Sequence, residues 1–383
     1  MKMAIVKSAK PENIGQLVAL ADRIFRKPGQ TSMGTAYAQL FANENADRLL
    51  MVEEDGQPVS LVGLLPARLS VAGCTIPVVS MGSVCTDMAY RGRNYADLLV
   101  KRSIARCAEE GAQLLLISGT RGLYLRNDGM EVGGLKRFAI RSAGELPSSA
   151  ETEAYAMRPY DGAGDRAAML RLMESDGAYY MRTDAELEQL IRSAAFLSNY
   201  PAEQHIWLSF TADGEAAAYA VFGSVKKKDG ESVVEIVEYA GGDEAVIGLL
   251  GHIAGMFGFQ PLSFPVMAAR ASLAEALVTA GCSFTEETIP GTIRMIDFQG
   301  LWKTLRPYME QQLGEAALSE LSLTEVGGGC RIAYKGETLT VGNRGATALL
   351  FNGPSIVGQG ELKQVLSRMF PLPFPFTESL NFV

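Results

Sequence analysis

Ser83-Val84-Cys85-Thr86-Asp87-Met88-Ala89-Tyr90-Arg91-Gly92-Arg93-Asn94-Tyr95-Ala96 is the stretch whose reading decides the fold. It closes an apolar strand, Ile76–Thr86, crosses a turn, and opens a helix. Ala96, Leu99, Val100, Ser103 and Cys107 recur along that helix at the spacing of one face. Gly111 is placed to stop it, and Leu114–Ser118 follows as a short apolar strand. The turn is suited to a phosphate, because a helix N-terminus carries partial positive charge and unpaired N–H groups. Arg91 and Arg93 add charge-assisted donors there, and Gly92 lets the backbone approach a ligand where a side chain would collide.

Upstream, Met3–Lys7 reads as a strand and Pro11–Phe25 as a helix with Ile14, Leu17, Val18 and Ala21 on one side. Leu49–Glu53 and Val59–Val71 read as strands joined by the turn Asp55-Gly56-Gln57-Pro58, which makes an antiparallel meander with Ile76–Thr86. The expected class is mixed α/β, of the α+β kind. Downstream the order repeats. Tyr155–Arg158 reads as a strand and Asp161–Glu174 as a helix. Trp207–Phe210, Ala217–Ser224 and Val233–Ala240 follow as strands, and Ala245–Phe257 as a helix. The endings correspond as well, Asn127–Ile140 with Ala280–Phe298, at an offset of about 150 residues, one domain's length. The turn corresponding to the opening stretch, Ala240–Glu244, has no arginine. A duplicated fold with one chemical site is expected. After Gly300 come a helix over Leu301–Leu313, a hairpin of Arg331–Tyr334 and Glu337–Val341, a helix over Glu361–Met369, and a proline-broken apolar tail, Pro371–Val383.

Composition narrows the chemistry. The chain has 383 residues and a formal net charge of −8, which disfavours a nucleic-acid surface. Lys226–Lys228 beside Asp229-Gly230 reads as a hairpin tip. Five scattered cysteines, none in a C-x-x-C pair, read as buried small hydrophobes with no metal site. Only His205 and His252 are present, which argues against a histidine metal centre or a Ser-His-Asp triad. No run is long and apolar enough to span a membrane, and nothing near Met3–Val6 resembles a targeting segment, so a cytoplasmic protein is expected.

Arg91-Gly92-Arg93-Asn94-Tyr95-Ala96 resembles the coenzyme-A loop of the GNAT acetyltransferase superfamily, Q/R-x-x-G-x-G/A, with Asn94 in place of the central glycine. The resemblance implies acetyl-coenzyme A as co-substrate. It would be held by Arg91, Gly92, Arg93, Asn94, Tyr95 and Ala96, and by the strand backbone at Val84, Cys85 and Thr86. These enzymes often carry a tyrosine before a Gly-aromatic pair as the acid that protonates the departing thiolate. Tyr124, ahead of Gly129-Met130, is the matching candidate, with one extra residue of spacing and methionine for the aromatic.

The layout is similar to the enhanced intracellular survival (Eis) acetyltransferases: residues 1–150 as catalytic GNAT domain, 151–300 as a degenerate second GNAT-like domain, and 301–383 as a small sterol-carrier-like α+β domain. In that family the C-terminal carboxylate serves as base, which here points to Val383. Asp87, Glu53 and Glu54 remain alternatives. The resemblance implies direct transfer to a primary amine of a small cationic molecule or peptide, aminoglycoside-like or polyamine, in a symmetric homo-oligomer. Cys85 offers a covalent acetyl-cysteine route, against which the shortage of histidine stands. A non-catalytic acyl-coenzyme-A sensor or lipid-binding protein and an aminoacyl transferase are the competing readings.

Overall fold

Alternating apolar residues build the long strands of the first half. In the computed structural model, which describes residues 5–147, 154–258, 260–327 and 329–383, Leu49–Glu54, Gln57–Val71 and Cys74–Thr86 form the expected antiparallel meander. The first hairpin turns at Asp55 and Gly56, both at positive φ (50° and 77°), as a two-residue hairpin turn requires. Val6–Ser8 adds antiparallel to Leu49–Glu54, and Leu114–Ile117 adds in parallel to Cys74–Thr86. The helix Tyr95–Glu109 buries Tyr95, Leu99, Val100 and Cys107 in one cluster with Leu50, Val62, Leu64, Val79 and Leu115. Each fully buried leucine or valine there contributes about 1.5–3 kcal/mol.

Contacts divide the chain into two compact units. The first gathers the residues up to Gly133, Ile289–Pro373 and Val383; the second gathers Gly134–Thr288 and Phe374–Phe382. The second unit's sheet runs Ser283–Glu287, Leu135–Ile140, Leu262–Met267, Ser232–Gly241, Ala216–Lys226, His205–Phe210, Ala156–Pro159. The helix Asp243–Phe257 packs its apolar side into the core of that sheet. The first unit also holds a three-stranded antiparallel sheet, Leu321–Val326, Gly329–Tyr334 and Glu337–Val341, with the helices Asn343–Asn352 and Glu361–Ser367.

Two strands fall in places that their sequence position does not suggest. Leu135–Ile140, read as the end of the first repeat, pairs with Leu262–Met267 and Ser283–Glu287 in the second unit. Thr292–Met295, read as the end of the second, pairs with Leu114–Ile117 in the first. Period-2 patterning predicts a strand, but the ladder is made by backbone groups that every residue carries, so the partner is not encoded locally. The helix expected over Leu301–Leu313 is divided at Leu305 into Phe298–Thr304 and Arg306–Leu313, because Pro307 can only open a helix. The expected boundary near Glu151, and Met3 of the first strand, lie outside the described residues. No helix among the described residues is long and apolar enough to cross a membrane.

Candidate active site

The site begins where two parallel strands part. Cys74–Thr86 and Leu114–Ile117 stay in register from Val78 opposite Leu114 to Met81 opposite Ile117. Beyond that pair the register with Gln57–Val71 slips between Leu61 and Gly63, and Ser83 takes a φ of 53°. A left-handed conformation costs a residue with a Cβ about 1–2 kcal/mol. This bulge redirects the strand end. Ser83 is buried and its Oγ has no hydrogen-bond partner among the described residues. Local strain and an orphaned polar atom at a strand parting are features of a binding site. Val84, Cys85 and Thr86, just past the bulge, line a cleft of about 620 Å³.

The turn closes the other side of the cleft. Asp87 caps the short 3-10 turn Met88–Tyr90 by accepting from the Ala89 N–H at 3.1 Å, and pairs with Arg23 at 3.2 Å. Gly92 and Asn94 then take left-handed angles, φ 80° and 61°. A Cβ on Gly92 would meet nothing within 4 Å, so the turn stands open where a ligand would approach. Asn94 is the N-cap of Tyr95–Glu109 and makes no side-chain cap bond. The first amides of that helix therefore have no intrahelical partner, and they sit beside alternating left-handed turns that form a concave anion nest. The departure from the glycine consensus is thus absorbed by the residue type that best tolerates this angle after glycine.

Charge at the cleft follows the same sense. Arg91, Arg93, Arg121 and Arg126 line it. Arg91 donates to the Thr86 carbonyl at 3.4 Å, and Arg93 lies over the Tyr90 ring at 5.0 Å. Asp97, in the first helical turn, is neutralised by Lys101 at 2.8 Å and accepts from Asn127 at 3.2 Å; Lys101, then Asn127, hold its carboxyl below the usual range. Open space at Gly92, unpaired amides and four guanidinium groups fit the pyrophosphate of a nucleotide-like ligand.

Tyr124 lies in the short helix Gly122–Arg126, 6% exposed, and lines the cleft. A Cβ on Gly119 would come within 3.1 Å of its ring. Burial pushes the phenol above its ordinary value, with Arg121 offsetting part of the effect. Val383 is 8% exposed and packs on Gly82, where a Cβ would overlap its carboxyl carbon and lie 2.6 Å from its Cγ1. Gly82 directly follows Met81 and Gly119 lies two residues past Ile117, the last paired residues, so Tyr124 and Val383 both adjoin the parting. The other acids are occupied: Glu53 pairs with Lys7, Glu54 accepts from the Tyr95 hydroxyl, and Asp87 is held by Arg23. Cys85 is buried and its thiol is pushed up to about 12 by desolvation, which leaves no thiolate for a covalent route at neutral pH. Sequence reasoning did not single out Gly82, Ser83, Arg121 or Arg126. Their only signal was two small residues before Val84 and two arginines flanking Tyr124.

Comparison with known proteins agrees with this geometry. The family model described as an acetyltransferase (GNAT) domain matches residues 6–133. A probable N-acyltransferase from Enterococcus faecalis shares 15% identity at a TM-score of 0.71, over 97% of this chain and 99% of that one. A GCN5-related N-acetyltransferase from Anabaena variabilis shares 13% identity at a TM-score of 0.64, over 96% of each chain. Eis1 from Mycobacterium abscessus shares 12% identity at a TM-score of 0.58, over 88% of this chain and 85% of that one. No curated protein sequence matches the chain. The strand parting, the left-handed turn and the matched residues 6–133 together identify a GNAT acyltransferase domain, in a chain whose fold resembles an Eis protein over most of its length.

Proposed function

We propose that the chain transfers an acetyl group from acetyl-coenzyme A directly to a primary amine of a small cationic molecule or peptide, in the cytoplasm. The observation that carries this reading is the single cleft lined by the left-handed turn at Gly92–Asn94, the strand end Val84–Thr86 and Tyr124. The nest and Arg91 and Arg93 would hold the pyrophosphate, with Tyr95 and Ala96 supplying first-turn amides. Backbone groups of Val84–Thr86, on the strand edge that Leu114–Ile117 no longer covers, would pair with the pantetheine amides and orient the thioester. When bound, the co-substrate supplies the activated acyl group and a thiolate leaving group.

The chain's own residues handle position and protons. The Val383 carboxylate takes the proton that the attacking amine loses. The Tyr124 hydroxyl, kept protonated by burial, delivers one to the sulfur as it leaves. Holding amine and thioester together supplies the larger part of the acceleration. The segment 301–383 is read as the sterol-carrier-like domain that ends in this carboxylate. Isothermal titration with acetyl-coenzyme A, followed by thiol release with polyamines, aminoglycosides and peptide N-termini, tests the reading. Absence of acetyl-coenzyme-A binding would overturn it.

A further inference from the structure

The second unit has a strand parting of its own. Ser232–Gly241 and Leu262–Met267 run parallel through only two pairs, Val234 with Leu262 and Glu235 with Ser263. Past them, Val237, Glu238 and Tyr239 on one strand and Pro265 and Met267 on the other line a cavity of about 80 Å³. We propose that this cavity binds the ammonium group of a small aliphatic amine, with Asp176 as its counter-ion and the aromatic rings of Tyr180 and Tyr239 as its walls. This goes beyond acyl transfer in the first unit and does not rest on it.

Size, charge and free hydrogen-bonding capacity lead to that class of ligand. An apolar cavity of about 150 Å³ takes a benzene, so roughly half of that admits the end of an alkyl amine and not a nucleotide. The charged groups in and beside the cavity are Asp176, Glu238, Asp243, Arg182 and Arg270. Glu238 is saturated: it accepts from Arg182 at 2.6 and 2.7 Å, from the Tyr219 hydroxyl at 2.9 Å and from the Leu380 N–H at 3.3 Å. Arg182 is used up in turn, by Glu238 and by Asn381 at 2.6 Å. Arg270 is shared by two carboxylates, Asp176 and Asp243, each at 2.7 Å. Arg270 is divided between these two carboxylates, so Asp176 is only partly neutralised. Its free oxygen is Oδ2, for only Oδ1 meets Arg270.

A second observation points the same way. Tyr180 is 4% exposed and lines the cavity, yet its hydroxyl has no hydrogen-bond partner among the described residues. A ligand N–H held in the cavity would give that hydroxyl the donor it lacks. Burial raises the Asp176 carboxyl and Arg270 only partly offsets this, so a cation at Oδ2 would relieve an incompletely compensated charge. Arg182 lies 6.0 Å from the Tyr180 ring centroid and Arg270 5.6 Å from that of Tyr239, so the two rings serve as apolar walls for the alkyl chain while Asp176 takes the ammonium group.

Isothermal titration of the full chain with putrescine, in the absence of acetyl-coenzyme A, tests this, with butanediol as the uncharged analogue. Putrescine should saturate with a Kd on the order of 1 mM or tighter, and butanediol should not bind. Asp176→Asn should weaken putrescine roughly tenfold or more, and Tyr180→Phe about three- to tenfold with an unchanged melting temperature. Equal binding of the diol, no putrescine binding, or full affinity in Asp176→Asn would overturn the proposal. If Asp176→Asn does not fold, the ligand pair on the unmodified chain and on Tyr180→Phe decides alone. Failure of the acyl-transfer reading would look different: acetyl-coenzyme-A binding would be missing while the putrescine results stood.

Discussion

The two strand partings use one architectural device to opposite ends. In the first unit the parting past Met81 and Ile117 opens a cleft of about 620 Å³, entered by the N-terminus of Tyr95–Glu109. In the second, the parting past Glu235 and Ser263 leaves about 80 Å³, because Tyr219, Tyr239, Phe374 and the Arg182–Glu238 pair fill it. The helix entries differ in sign as well. Arg91 and Arg93 stand before the first helix, whereas Asp243 and Glu244 open the second. Gly92 has free space around it, while a Cβ on Gly241 would overlap the Ala217 carbonyl. Carboxylates in the first turn satisfy the dipole that a phosphate would otherwise satisfy. A strand parting beside a closed turn and an acidic helix entry offers a phosphate neither open backbone nor free positive charge.

If only the first parting is catalytic, the largest effect belongs to Tyr124. Tyr124→Phe should lower kcat by roughly 10²–10⁴-fold with acetyl-coenzyme-A affinity nearly unchanged. The pH profile sharpens the assignment. The neutral phenol is the competent acid, and burial raises its pKa, so kcat should show no tyrosine-dependent fall below about pH 10. An alkaline fall below that value, lost in Tyr124→Phe, would contradict the buried acid.

The second parting answers in stability, because its Arg182–Glu238 pair is structural. Arg182→Ala strips the partner from Glu238, whose carboxyl burial would raise but which Arg182 holds below the usual range. Loss of one member of a buried pair should cost about 3–5 kcal/mol in denaturant unfolding. Arg93→Ala, at the exposed first turn, should change stability by less than about 0.5 kcal/mol. Equal costs would erase the contrast. The Glu238 carboxyl also sets a direction with pH: its depressed pKa supplies stability above the unfolded value near 4.5, and that stability is lost as pH falls through the folded value.

Much of this contrast was legible in the sequence. The strand, turn and helix around Arg91–Ala96 follow from period changes and from Gly92, and the absence of arginine from Ala240–Glu244 is plain in the sequence. Asn94 illustrates how far the reading reaches. Asparagine tolerates left-handed angles better than other residues with a side chain, and Asn94 takes a φ of 61° where the family pattern has glycine. The exchange of Leu135–Ile140 and Thr292–Met295 was not legible, since pairing partners are chosen by backbone groups and tertiary packing. The bulge at Ser83 left no local signature either, because register slips depend on the neighbouring strand. Nor did the tail: Leu380 meeting Glu238, and Val383 packing on Gly82, are contacts far apart in sequence.

Gly82 gives the next test. A methyl group there would overlap the Val383 carboxyl, so Gly82→Ala must displace it. Turnover should fall about tenfold to a hundredfold, with acetyl-coenzyme-A affinity retained. Unchanged turnover would remove the carboxylate from the mechanism and leave the base to be found elsewhere.

The smallest effect compares the two turns directly. Gly92→Ala and Gly242→Ala each place a methyl group at a helix entry, and neither meets an atom within 4 Å. Sterics inside the protein therefore do not separate them. Backbone angle does: Gly92 has φ 80°, while Gly242 has φ −63°, which alanine adopts freely. Strain at Gly92 should cost about 1–2 kcal/mol, and the methyl group would project toward the nest. Acetyl-coenzyme-A affinity should drop about tenfold in Gly92→Ala and stay within twofold or so in Gly242→Ala, read by isothermal titration. Equal losses would mean that the second turn still contributes to cofactor binding. No loss in either would mean that the phosphates are held by the arginines and not by the open backbone at Gly92.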